Sequence, residues 1–176
     1  MATLIVGSLQ AYNSISAAVA AAKPGDTVLV QAGTYTNDFP ASINGLTIEG
    51  VGGQVNLVAT NQPPNRKAIL DVSGNTVLKN LAFSGATVPD GNGAGVRYES
   101  GNLTVQSCVF HDNQNGLLGG VDPNGTITID SSEFYGNGTS AGNTHNRGGS
   151  VCLDSVPGSI GGASAGFRLR RSAAAQ

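Results

Sequence analysis

Arg97 and Glu99 stand two residues apart with Tyr98 between them, in a segment, residues 95–99, that reads as a short strand. Alternate residues of a strand share a face, so the guanidinium and the carboxylate project together while Tyr98 points the other way. A cation and an anion so placed can grip a sugar acid, or they can satisfy each other as an exposed ion pair. Asp71 belongs to an earlier copy of the same strand, residues 68–72. His111 and Asp112 adjoin in the turn after Phe110, and their counterparts Tyr135 and Gly136 do not repeat that chemistry, so they read as an exposed turn pair.

Other motifs fail on context. Gly138-Thr139-Ser140-Ala141-Gly142 satisfies G-x-S-x-G, but no strand precedes it and no helix follows it, as a nucleophile elbow requires. Asp90-Gly91-Asn92-Gly93 opens like a calcium loop, yet Ala94 occupies the third ligand position and Gly101 replaces the closing glutamate. No motif therefore supports Ca²⁺, and no Cys/His cluster has metal spacing. Cys108 and Cys152 could form one bridge at most, which is no disulfide scaffold. Cys108 aligns with Leu81 and Ser132 and reads as a core filler.

Composition narrows the class. The 176 residues include 26 Gly and 7 Pro, with 11% charged and 39% hydrophobic residues. So few charges exclude a charge-rich disordered chain and a coiled coil, and no apolar run is long enough to span a bilayer. Residues 1–146 hold five Lys/Arg against ten Asp/Glu, a balance of −5, while residues 147–176 hold four Arg against Asp154, a balance of +3. An acidic body without basic and aromatic interleaving argues against nucleic acid as a partner. The N-terminus lacks a basic region, and polar residues interrupt its apolar stretch, so no cleaved secretion signal is expected.

The elements that must position these residues are legible from periodicity. Ile15, Ala18, Val19 and Ala22 fall on one helical face, Asn13 or Ser14 can cap its start, and Lys23-Pro24-Gly25 stops it; the helix is expected at about residues 14–22. From Thr27 onward the period changes to two, in short strands bounded by Gly and Asn. The strands repeat. Residues 78–83, 105–110 and 129–134 superpose without gaps, bringing Phe83, Phe110 and Phe134 into register, with residues 48–51 as an earlier partial copy. Asn113 and Asn137 each follow their phenylalanine by three places, as an asparagine ladder at a tight turn requires, since asparagine tolerates the left-handed conformation and its amide can bond the next copy. Gly74, Gly101 and Gly125 sit between the two strands of their units. A β-sandwich has no reason to repeat phenylalanine in register. A solenoid of stacked coils does.

The helix followed by Lys23-Pro24-Gly25-Asp26-Thr27-Val28-Leu29-Val30-Gln31-Ala32-Gly33-Thr34-Tyr35 resembles the N-terminal cap and first turn of right-handed parallel β-helix proteins of the pectate-lyase-like superfamily. Residues 75–85, Phe110-His111-Asp112-Asn113 and Glu133-Phe134-Tyr135-Gly136-Asn137 resemble their later coils. The resemblance covers residues 3 to about 146 and is nearest a bacterial group of modules found in larger secreted proteins. It implies an all-β, right-handed parallel β-helix of about five turns with an N-terminal capping helix, and an extracellular parent family exported without a cleaved N-terminal signal.

In that superfamily, carbohydrate-active members bind uronate polymers along a face of parallel strands. A lyase there neutralises the uronate carboxylate with Ca²⁺ or a basic side chain and supplies a base for the C5 proton. By resemblance, Arg97, Glu99 and His145 become catalytic candidates, and Asp71 and Tyr98 substrate-binding candidates. His145 would start a strand that this chain does not continue, because after Asn146 periodicity, charge sign and composition change together. Residues 147–176 are accordingly expected to be a divergent or disrupted basic tail, poorly ordered, leaving an open solenoid end through which the chain could self-associate. The expected function is a carbohydrate-associated module without catalysis of its own. The alternative is a lyase or C5-epimerase acting on a uronate polymer. No cofactor, nucleic-acid or membrane partner is expected.

Overall fold

Short segments that alternate apolar and polar residues cannot bury their apolar side alone, and here they do so by stacking on copies of themselves. The computed structural model describes residues 1–89, 94–119, 125–138, 151–153 and 168–169. The elements in chain order are β1 (Thr3–Val6), α1 (Ile15–Ala21), β2 (Thr27–Thr36), β3 (Ile43–Asn44), β4 (Thr47–Val58), β5 (Ala68–Ser73), β6 (Thr76–Lys79), β7 (Leu81–Ser84), β8 (Ala94–Tyr98), β9 (Asn102–Gln106), β10 (Val109–His111), β11 (Asn115–Gly119), β12 (Thr126–Asp130), β13 (Glu133–Tyr135), β14 (Val151–Leu153) and β15 (Arg168–Leu169).

All pairings are parallel and sort the strands into three faces of a coil with about five turns. The first face stacks β1, the start of β2, the start of β4, β6, β9 and β12. The second stacks the ends of β2 and β4, then β7, β10, β13 and β15. The third stacks β3, β5, β8, β11 and β14. β14 and β15 lie in the segment expected to form the tail, and each extends a face. The rest of that segment lies outside the described residues.

The expected register holds. Leu78 pairs with Val105 and Val105 with Ile129; Phe83 pairs with Phe110 and Phe110 with Phe134. The three rings are fully buried and stacked, with centroids 4.9 and 4.5 Å apart and planes within 18° and 5° of each other. Helix α1 has Ser14 as its N-cap, whose hydroxyl accepts the Ala17 N–H at 3.2 Å. Ile15 and Ala18 of its apolar face are buried against β1 and β2. Among the described residues no helix is long and apolar enough to cross a membrane.

Left-handed backbone conformations turn the corners. Asn80, Ser107 and Ser131 (φ 53°, 52° and 48°) lead from the first face to the second, and Gly85, Asp112 and Gly136 (φ 80°, 54° and 63°) from the second to the third. Asparagine follows the last two of these, and the two asparagines form the ladder. Asn113 and Asn137 donate through Nδ2 to the carbonyls of Phe83 and Phe110, at 3.0 and 2.9 Å. Asparagine is thus not the left-handed residue that the turn pattern suggests: the preceding residue adopts that conformation, and asparagine contributes its amide.

Asp26 closes the first turn. Its carboxylate accepts the N–H of Ala2 at 2.5 Å and of Lys23 at 2.9 Å, and its carbonyl accepts the N–H of Thr47 at 3.0 Å. The bonds from Ala2 and Lys23 hold the carboxyl below its ordinary value of 3.8. The folded chain therefore binds this proton less readily than the unfolded one. Asp26's contribution is complete above about pH 3.8 and is lost as pH falls through the lower folded value. Melting temperature measured against pH should show a shallower acid limb in Asp26→Asn than in the parent; coincident acid limbs would refute this role.

Candidate functional site

The third face carries the charged candidates. Strands β5 and β8 run side by side with Asp71 opposite Arg97 and Val72 opposite Tyr98. Alternation sends Val72 and Tyr98 into the core, where each is almost fully buried. The Tyr98 hydroxyl donates to the Gly101 carbonyl at 2.7 Å. Tyr98 therefore does not stand among the substrate-binding residues: the alternation that separates it from Arg97 turns its ring inward.

On the outer side, Arg97, Glu99 and Asp71 come together with a residue that sequence reasoning missed, Lys67. Lys67 Nζ lies 2.5 Å from Glu99 Oε1 and 3.5 Å from Asp71 Oδ2, and Arg97 Nε lies 3.5 Å from the same Glu99 oxygen. A local turn aims the lysine, because Asn65 Oδ1 accepts the backbone N–H of Lys67 at 2.9 Å and of Ala68 at 3.1 Å. Lys67 has the parity of Asp71 and immediately precedes β5. That was the available signal, hidden because the repeat begins one residue later.

The electrostatics follow from depth. Asp71 is the most enclosed of the four, and burial raises its carboxyl above the ordinary range against the pull of Lys67. The Lys67 ammonium is also raised, chiefly by its hydrogen bond to Glu99. Asp71 Oδ1, Arg97 Nε and Asn65 Nδ2 are enclosed atoms without a hydrogen-bond partner among the described residues. Arg97 Nε thus meets Glu99 as a charge contact and not as a well-aligned hydrogen bond.

No family model matches the chain. Two crystal structures of the pectin methylesterase from Aspergillus niger, in penultimately deglycosylated and deglycosylated forms, superpose with TM-scores of 0.52 and 0.51 at 16% and 15% identity, covering 99% of this chain and 68% of theirs. This chain is a right-handed parallel β-helix. At that identity the likeness concerns the fold.

The remaining candidates occupy other parts of the β-helix. His111 lies on the second face, its Nδ1 2.8 Å from Asp112 Oδ2 and its ring stacked on Tyr135 at 5.1 Å. It does not join the cluster on the third face. His145, the Asp90–Gly93 turn and the Thr139–Gly142 part of the G-x-S-x-G match lie outside the described residues. Among the described residues no group of three or more His, Cys, Asp or Glu could hold a metal ion.

Cys108 is fully buried between coils, its sulfur 3.4 Å from the Gln106 carbonyl and 3.6 Å from that of Leu78. Burial pushes its thiol up to about 11, so almost no thiolate exists at neutral pH. Peptide mapping after alkylation at neutral pH should find Cys108 unmodified in the folded chain and modified after denaturation. Rapid labelling of the native protein would contradict this packing.

Proposed function

We propose that the chain is a carbohydrate-associated β-helix module that holds a uronate-bearing polysaccharide against its third face and has no catalytic activity of its own. The observation that carries this reading is the convergence of Lys67 and Arg97, from adjacent coils, on one carboxylate oxygen, that of Glu99, on the outer side of the third face. Adjacent strands lie about 4.8 Å apart, so a polymer crossing successive coils meets the face repeatedly. The fold shared with pectin methylesterases is consistent with a polymer of this class. The non-catalytic part rests on the engagement of Glu99 with both Arg97 and Lys67, which leaves no free base and acid pair in this cluster among the described residues.

The alternative is a polysaccharide lyase or C5-epimerase. Asp71 favours it, since burial raises its proton affinity in the direction a general base needs, opposite an arginine. Affinity electrophoresis in polygalacturonate, alginate and neutral dextran separates binding from its absence, and ultraviolet detection of unsaturated uronate separates binding from lysis. The expected result is retention by an acidic polymer, no unsaturated product, and about tenfold weaker retention for Arg97→Ala, the scale of one lost charge-assisted bond. Migration unaffected by either acidic polymer overturns the binding reading. Unsaturated product that disappears in Arg97→Ala overturns the non-catalytic part in favour of the alternative.

A further inference from the structure

We infer that Glu99 is a built-in occupant of a carboxylate subsite: its acid group stands between Lys67 and Arg97 where the acid group of a bound uronate would stand, and gives way when that group arrives. The inference rests on the acidic-polymer reading above and adds to it a self-blocking contact that weakens the hold on an incoming acid.

Two cations from adjacent coils meet one oxygen, Glu99 Oε1, at 2.5 Å from Lys67 Nζ and 3.5 Å from Arg97 Nε. Convergence on a single oxygen defines a position for a carboxylate, whatever carries it. The four side chains are also layered. Lys67 and Glu99 are 45% and 33% exposed, whereas Arg97 and Asp71 are 20% and 14% exposed. The outer pair can move without opening the inner pair. The backbone beneath stays fixed, because the Glu99 N–H donates to the Val72 carbonyl at 2.9 Å, just beyond the end of β8. Only the side chain has to swing.

Exchange is balanced in charge: one carboxylate leaves the two cations and another takes its place. Lys67 does not drift away in between, since Asp71 Oδ2 holds it at 3.5 Å from below. A half-exposed ion pair is a weak bond in water, so the tethered acid is easily displaced. It still competes at the high effective concentration of an intramolecular group. A free sugar acid and a uronate residue of a polymer meet the same competitor at this one subsite, so its removal should strengthen the binding of both. Without Glu99, Lys67 and Arg97 would face Asp71 alone, and the surface would become net positive.

The test compares the parent, Glu99→Ala and Glu49→Ala by affinity electrophoresis in polygalacturonate, with D-galacturonate binding followed by NMR. Glu49 lies in β4 on the first face, so its removal changes net charge equally without touching the subsite. Thermal melts confirm that each variant is folded. Glu99→Ala is expected to bind polymer and monomer about two- to fivefold more tightly than the parent, as release of a surface ion pair allows, with Glu49→Ala unchanged. Adding Lys67→Ala to Glu99→Ala should abolish the gain. Parent retention that Glu99→Ala leaves unchanged or weakens overturns this inference while the polymer reading stands, as does an equal gain in Glu49→Ala. Absence of binding by parent and variant alike overturns both.

Discussion

Phe110→Ala should lower stability by about 3–5 kcal/mol, the largest loss from any single truncation in the aromatic stack. Phe110 is the middle ring, with centroids of Phe83 and Phe134 at 4.9 and 4.5 Å on its two sides, and none of the three is solvent-exposed. Truncation removes contacts with two coils at once. The flanking coils cannot collapse into the void, because backbone pairing of β10 with β7 and β13 fixes their spacing. Urea denaturation should show the midpoint falling strongly for Phe110→Ala and much less for Phe110→Leu, which keeps most of the volume. A loss below about 1 kcal/mol for the alanine variant would mean that the stack adds little beyond its neighbours.

Asn113→Leu should cost about 2–4 kcal/mol despite similar size, because it strands buried polar groups. Asn113 is 1% exposed. Its Oδ1 accepts the N–H of Ala86 at 3.0 Å, and its Nδ2 donates to the carbonyl of Phe83 at 3.0 Å and to Asn137 Oδ1 at 3.2 Å. Leucine fills the space and satisfies none of them. Hydrogen exchange at the Ala86 amide should accelerate by the same free energy as the equilibrium loss, since the opened corner exposes that N–H. An unchanged Ala86 exchange rate in a destabilised variant would place the damage elsewhere.

Much of the architecture was legible because stacking is a local rule applied repeatedly. The gapless repeat placed Phe83, Phe110 and Phe134 opposite one another, and in-register parallel strands admit no other arrangement of such a repeat. The helix was legible from its cap and its apolar face. The corners were read one residue out. The pattern showed where a turn was needed, but the division of work between Asp112, which takes the left-handed conformation, and Asn113, which supplies the amide, depends on how the carbonyl of Phe83 is aimed.

The candidate site was half legible. Strand parity put Arg97 beside Glu99 and sent Tyr98 inward, and both outcomes follow from the pleat alone. Lys67 could not be joined to Glu99 in that way, since the two are separated by a whole coil and the contact requires the return of the chain. The sequence by itself determined the repeat, the capping helix, the buried column and the face on which each charge would lie, because these depend on periods of a few residues. Tertiary structure alone decided that Lys67 and Arg97 share one oxygen of Glu99 and that Asp71 lies deepest. Those relations depend on distances between neighbouring coils, and a one-dimensional pattern carries no measure of depth.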